Sequence, residues 1–218
     1  MSNQTPSAPR PVAPLSTIVR LPRYLSCVQL ARDSGKLVIN SSEIATRCNN
    51  TAAQVRKDLS YVGYLGVRGA GYEVEGLIAG LSAALGVDES RRVAIIGYGG
   101  VGKATRDARG LETNGFVVVA LFDNDLAKIG SDAAGLIIRP MDELEVGLIE
   151  THADMAVLTM PADHVQEIID RAVAVGVRAF LNTVPASVVL PDGVVMRQIC
   201  PTNDLLILSY LMSQGSEK

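Results

Sequence analysis

The segment Val93-Ala94-Ile95-Ile96 runs without a break into Gly97-Tyr98-Gly99-Gly100-Val101-Gly102, and this junction constrains the chain more than any other feature. A short apolar run rich in β-branched residues predicts a buried strand, and G-x-G-x-x-G follows it at the opening of a helical pattern. Each glycine has its own task in that spacing. The first permits a tight turn, the second lets a pyrophosphate approach the backbone, and the third lets helix and strand pack closely. The phosphates then face the free amides of a helix N-terminus. Strand, turn and helix make the first unit of a doubly wound dinucleotide-binding sheet. Gly97, Tyr98, Gly99, Gly100, Val101 and Gly102 are its candidate cofactor-binding residues.

The units that follow fit the same α/β class. A second strand, Phe116 to Phe122, ends in Asp123, 21 residues past Gly102. A carboxylate there accepts both ribose hydroxyls of an adenosine and repels a 2′-phosphate, so NAD(H) is expected over NADP(H). Lys128 is the one nearby cation suited to an extra phosphate, but Asp123 is better placed to decide. Asn124 and Ile129 join the candidate set beside them. Met155 to Thr159 reads as a strand ending in Met160-Pro161. A helix follows, with Val165, Ile168, Ile169 and Ala172 at helical spacing, and Gly176 stops it. Val177 to Leu181 is the next strand, Val194 to Arg197 an edge strand, and Leu205 to Met212 a final apolar helix. Ligands bind where strand carboxyl ends open, so Thr159, Met160, Pro161, Asn182 and Thr183 are expected to wall the nicotinamide side.

Nothing in this fold is supplied for turnover. A dehydrogenase needs a proton donor near the nicotinamide and a place for substrate. His152 falls at the amino end of a strand and His164 in the first turn of a helix. The sheet consumes the chain after Gly97, leaving no substrate domain. Cys27, Cys48 and Cys200 show no CxxC spacing, which argues against a zinc site or a disulfide framework and for a reducing cytoplasm. No catalytic or metal-ligating residue is assigned.

Charge divides the chain. Residues 10–72 carry a net +6 and residues 73–218 a net −9, as expected for a polyanion-binding module on a body that avoids the polyanion. The basic part reads as helices. Leu15 to Asp33 is one, closed by Gly35. Ser41-Ser42 cap a second, short one carrying Arg47, and Asn49-Asn50 is a turn. Thr51 and Gln54 have the spacing of a capping box for a third helix, whose Ala52, Val55, Leu59 and Val62 form a buried stripe. Ala53, Gln54, Arg56, Lys57, Ser60 and Tyr61 fall on or beside the opposite face. Short helix, tight turn and polar helix is the helix-turn-helix pattern, whose second helix enters the major groove of double-stranded DNA. The glycine-rich run 63–72 predicts a β-ribbon wing, with Arg68, Gly69 and Tyr72 toward DNA. Arg47, Thr51, Ala53, Gln54, Arg56, Lys57, Ser60, Tyr61, Arg68, Gly69 and Tyr72 are the candidate DNA-binding residues.

The expected organisation is a Pro-rich tail over 1–14, a winged-helix domain over 15–75 and a connecting helix and polar joint over 76–90. A Rossmann domain over 91–198 and a C-terminal dimerisation helix over 199–218 complete it. No apolar run approaches the roughly 18 residues of a membrane span. A cofactor fold without catalytic groups, fused to a DNA-binding module, points to a sensor in which the dinucleotide is the signal.

The run Val55-Arg56-Lys57-Asp58-Leu59-Ser60-Tyr61-Val62-Gly63-Tyr64-Leu65-Gly66-Val67-Arg68-Gly69-Ala70-Gly71-Tyr72 resembles the recognition helix and wing of the Rex family of redox-sensing transcriptional repressors. Arg20-Leu21-Pro22-Arg23-Tyr24, the glycine motif, Phe122-Asp123, Lys128-Ile129-Gly130, Leu158 to Ala162 and Leu181-Asn182 continue the likeness over about residues 15–200. The resemblance implies a homodimer on an inverted-repeat operator, released when NADH displaces NAD. It also implies an exchanged C-terminal helix. Cys200-Pro201 stands where the family has Asp-Leu, an Asp that couples ligand state to domain orientation through an Arg at the position of Arg20. Asp204 lies one turn later, and Thr183 replaces a Phe. Two other readings stay open: a regulator whose cleft takes a CoA-type or adenylate ligand or has lost its NADH response, and a small NAD-dependent enzyme.

Overall fold

A computed structural model of the chain describes residues 13–63, 66–67, 69–108 and 110–215. Most of the expected tail, and the wing residue Arg68, lie outside the described residues. The chain divides into two compact units, Met1–Glu89 and Ser90–Lys218.

The first unit runs α1 (Leu15–Ile18), α2 (Leu21–Asp33), β1 (Val38–Ile39), α3 (Ser41–Cys48), α4 (Ala52–Tyr61), β2 (Tyr72–Glu73) and α5 (Val74–Leu85). The single helix expected over 15–33 is two. The chain turns between them, and Pro22 sits in the first turn of α2, where its missing N–H leaves no bond unmade. Gly35 does close α2, at φ +76°. The cap of α3 is Asn40, one residue before the expected serines. Its side chain accepts from the Ser42 and Glu43 amides, and Glu43 reaches back to the Asn40 amide. That reciprocal pair satisfies two donors at once, which Ser41, buried inside the first turn, does not do. Asn49 ends α3 in the left-handed region at φ +53°, and Thr51 caps α4 by accepting from the Gln54 amide at 3.1 Å. Gln54 does not complete that box, because its side chain points to Asp58.

The helix expected to connect the domains belongs to the first one. Val74, Leu77 and Leu81 of α5 are buried in the same core as Tyr24, Leu25, Val28, Ile44, Val55 and Leu59. An apolar stripe at that spacing needs a core to cover it, and here the winged-helix helices supply it. β1 and β2 pair antiparallel, Val38 with Glu73 and Ile39 with Tyr72, while a bridge between Val67 and Gly71 closes the tight loop of the wing.

The second unit contains β3 (Arg91–Ile96), α6 (Gly100–Arg106), β4 (Phe116–Asp123), β5 (Asp132–Ala133), β6 (Leu136–Pro140) and α7 (Leu144–Glu150). Then follow β7 (Met155–Leu158), α8 (Val165–Ala174), β8 (Ala179–Asn182), β9 (Val195–Gln198) and α9 (Pro201–Gly215). The sheet order is β5-β6-β4-β3-β7-β8-β9. All pairs are parallel except that of β6 with the edge strand β5. From β6 to β9 this is the doubly wound order, in which the chain leaves β3 toward one edge and β7 toward the other, so a crevice opens between their carboxyl ends. β6 and α7 lie in a stretch the sequence analysis left unassigned.

Candidate functional site

Register brings the site residues to one rim. Ile96 lies level with Phe122 on one side and Leu158 on the other. The residues just beyond therefore meet: the Gly97 amide donates to the Phe122 carbonyl (2.8 Å), the Thr159 amide to Ile96 (2.9 Å), and the Thr183 amide to Leu158 (3.1 Å). A cleft of about 440 Å³ opens there, lined by Gly97, Gly99, Asp123, Asn124, Lys128, Thr159, Met160 and Pro161 of the expected set.

The glycines do different work. Gly97 has φ +93°, and a Cβ on it would come 2.9 Å from the Thr159 carbonyl carbon. A Cβ on Gly102 would overlap the Gly97 carbonyl oxygen, which also accepts from the Thr159 hydroxyl. Gly99 and Gly100 are different, since a Cβ on either meets nothing within 4 Å. Gly97 and Gly102 hold strand and helix together, while Gly99 and Gly100 leave space beside the turn for a ligand's phosphates. The residues present fit a dinucleotide on this observation.

Asp123 is the buried anion of the rim. Its Oδ2 accepts from the Tyr98 amide (2.7 Å) and Lys128 Nζ (3.0 Å), and its Oδ1 from the Asp125 amide (2.9 Å). Burial pushes its carboxyl up, but these donors outweigh burial and hold it below the usual carboxylate range. Asp123 therefore stays ionised at neutral pH, with acceptor capacity left on Oδ1. Lys128 bridges Asp123 and Asp125, and that pairing raises its own pKa.

Sequence reasoning missed the far end of the cleft. Met141, His164, Glu167, Ile168 and Arg171 line it. Arg171 is fixed there by both Glu145 oxygens (2.5 and 2.8 Å) and the Met141 carbonyl (2.8 Å), and holds Glu145 down to about 2. The signal was available, because the helix after β7 starts at a strand's carboxyl end and its first turns must flank the crevice. Tyr98, Gly100, Val101, Gly102, Ile129, Asn182 and Thr183 of the expected set do not line the cleft. Asn182 is fully buried, and its Nδ2 has no partner among the described residues.

In the first unit, Val55, Leu59 and Val62 of the predicted stripe are buried and Ala52 packs against the same core. Ala53, Arg56, Lys57 and Ser60 are exposed on the other side, as are Arg47 and Thr51, and Tyr61 is half-buried. The Lys57 side chain has no bond among the described residues, and Arg56 donates to the Ser41 hydroxyl at 3.0 Å. The Ser60 hydroxyl donates back to the Lys57 carbonyl. Arg56, Asn40, Gly69 and the wing loop edge a depression of about 630 Å³.

Two residues of the expected DNA set are engaged within their own unit. Tyr72 is 6% exposed and belongs to the core, where its ring fills the space beside Gly66. Gln54 is engaged by Asp58 at 2.8 Å.

Asp58 itself went unnoticed in sequence. It is fully buried and accepts from Thr17 Oγ1 (2.9 Å), Arg20 Nε and Nη2 (both 2.7 Å), Tyr24 OH (2.8 Å) and Gln54. Arg20, the arginine that the resemblance ties to ligand coupling, is thus committed to a carboxylate of its own unit.

Comparison with known proteins addresses both units. Residues 13–60 match the family described as "Putative DNA-binding protein N-terminus", and residues 88–186 match the "CoA binding domain" family. The redox-sensing transcriptional repressor Rex of Streptomyces griseus is 36% identical over 90% of this chain and 78% of its own length. Among solved structures, RSP, a Rex-family repressor, in complex with β-NAD+ and operator DNA is 28% identical. That match has a TM-score of 0.86 and covers 94% of this chain and 95% of the other. RSP with β-NADH matches at 27% identity and a TM-score of 0.83, over 94% and 97%.

Proposed function

Since this chain belongs to the Rex family of redox-sensing transcriptional repressors, we propose that it binds operator DNA through its first unit and senses NADH against NAD+ through the cleft of its second. The observation that carries this reading is the open space beside Gly99, which lines one cleft with the ionised Asp123 and Thr159. Gly99 and Gly100 take the pyrophosphate, Asp123 Oδ1 accepts a ribose hydroxyl, and Met160 and Pro161 lead toward the nicotinamide. Arg47, Thr51, Ala53, Arg56, Lys57, Ser60, Tyr61 and the wing at Gly69 face DNA, with Arg68 assigned there on sequence alone.

The response is a shift between two states. NADH releases the operator only to the extent that it binds the DNA-incompetent arrangement better than the competent one, and a ligand with equal affinity for both shifts nothing. The protein acts as a homodimer on an inverted repeat. Turnover forms no part of this reading, because both imidazoles are exposed and His164 only edges the cleft. A cytoplasmic location follows from the role, and among the described residues no helix is long and apolar enough to cross a membrane.

One observation favours a second reading. The match of residues 88–186 to a CoA-binding family makes a CoA-type ligand the rival signal. A labelled inverted-repeat duplex, titrated by fluorescence anisotropy with NADH, NAD+, NADPH and CoA at fixed salt, separates the two. Release by NADH alone is expected. Release by CoA, or DNA binding that NADH leaves unmoved, overturns the NADH reading.

A further inference from the structure

Two thiols line one groove of the first unit, which of the residues assigned above to DNA includes only Arg47. Cys27 is on α2, Cys48 is the last residue of α3, and both are buried. The Cys48 S–H donates to the Arg23 carbonyl at 3.5 Å, which seats its sulfur on α2 one helical turn before Cys27. They share the wall of a groove of about 570 Å³ with Arg23, Leu30 and Arg47. We propose that Cys27 and Cys48 form a modification site, a dithiol that a peroxide entering this groove converts to an intramolecular disulfide, which weakens operator binding without NADH. The site stands on its own geometry, and its effect on DNA rests on the repressor reading.

The chemistry balances in two steps. The Cys48 thiolate attacks one peroxide oxygen, the O–O bond breaks, and the other oxygen leaves as water with the proton Cys48 gave up. The Cys27 sulfur then attacks the resulting sulfenic sulfur, the S–O bond breaks, and the hydroxyl leaves as a second water with the Cys27 proton. Two thiols lose two electrons, and hydrogen peroxide gains them.

Burial holds the Cys48 thiol above its ordinary value, while the Cys27 side chain and the Arg23 charge oppose that rise, so the first attack is assigned to Cys48. Cys27 is pushed up to about 11, first by burial and then by Cys48. Burial raises Cys48 as well, so the response is slow beside ligand binding.

The consequence for DNA follows from position. A disulfide needs sulfurs about 2 Å apart, so its formation draws the end of α3 toward α2. Cys48 is two residues from Asn50, whose amide holds Ala45 (2.9 Å) and whose side chain holds the Cys48 carbonyl (3.3 Å). Next comes Thr51, the cap of α4. The strain passes into the turn that sets the angle of α4 and the placement of Arg56 and Lys57.

The test treats the whole chain with hydrogen peroxide, counts free thiols, maps linked peptides by mass spectrometry, and measures operator affinity without NADH. Free thiols fall from three to one per chain, with Cys200 left, and the mass falls by two hydrogens. Operator affinity drops about tenfold and returns with dithiothreitol. Cys200→Ser keeps this behaviour, and Cys48→Ser loses it. Three surviving thiols, oxidation confined to Cys200, sulfinic acid without a Cys27–Cys48 link, or a link with unchanged operator affinity each overturn the proposal. If Cys48→Ser folds poorly, peptide mapping of the parent chain still decides. Should the reduced protein bind no operator, the repressor reading has failed instead, and the thiol count alone judges the site.

Discussion

Gly97, Gly99 and Gly102 fall in one motif but answer to different neighbours, and that difference separates folding from ligand binding residue by residue. Alanine at Gly97 meets a left-handed backbone, which costs about 1–2 kcal/mol before its Cβ strikes the Thr159 carbonyl. Alanine at Gly102 meets the Gly97 carbonyl oxygen, a backbone atom that cannot swing away. Alanine at Gly99 meets nothing and occupies only the space assigned to phosphate. Gly99→Ala should therefore unfold at the parent's temperature while losing NADH affinity about tenfold or more, on the order of 1.4 kcal/mol. Gly102→Ala should lose stability first. Calorimetry on both variants beside a fluorescence titration with NADH checks this, and a destabilised Gly99→Ala that binds NADH normally would reverse the assignment.

At the scale of the element, α4 is held from beneath by a charge. Asp58 ties it to α1 and α2 through Thr17, Arg20 and Tyr24. Burial pushes its carboxyl up, but the donors outweigh that and keep it below the ordinary Asp range. A depressed folded pKa contributes stability that is present above the unfolded value, about 3.9, and is lost as pH falls through the folded one. The first unit should thus hold from neutral pH down to about pH 4 and weaken below. Removing the anion leaves Arg20 partly buried without its partner, and breaking such a pair costs about 3 kcal/mol or more. Asp58→Ala should lower the first unit's denaturation midpoint and operator affinity while leaving NADH affinity unchanged, and chemical denaturation with a parallel NADH titration checks it. A fall in NADH affinity as well would count against two separable units. The sequence pattern displayed α4 through its cap and stripe, and β3 with its glycine turn, because these depend on neighbours within one helical turn or one loop. It did not display Asp58, whose partners lie up to 41 residues away. Nor did it display β6, a short edge-side strand with no turn motif to announce it, or the side to which α5 packs. Such features are fixed by what the chain meets after folding.

For the whole molecule, the decisive surface is α9. Leu205, Leu206, Ile207, Leu208, Tyr210, Leu211 and Met212 are all more than half exposed, and every residue from 201 to 214 is exposed. A helix apolar all round belongs inside something, and each such side chain gains about 1.5–3 kcal/mol when covered. On the homodimer reading proposed above, a second copy of this chain is the cover, so a charge placed in α9 should separate protomers without unfolding them. Dimerisation also determines how the charges act. The net +6 of residues 10–72 and the net −9 of residues 73–218 confine phosphate contacts to the first unit of each protomer. Each phosphate neutralised adds about −0.9 to the slope of log affinity against log salt. A dimer on both half-sites sums the contacts of two first units, and a monomer has those of one. Leu208→Glu with Leu211→Glu should sediment as a monomer with NADH affinity reduced little. Its operator binding should be weaker because the second half-site is no longer tethered, and its salt slope should be about half the parent's. A monomer with the parent's full slope would mean that the inverted repeat is read by contacts other than these two basic units.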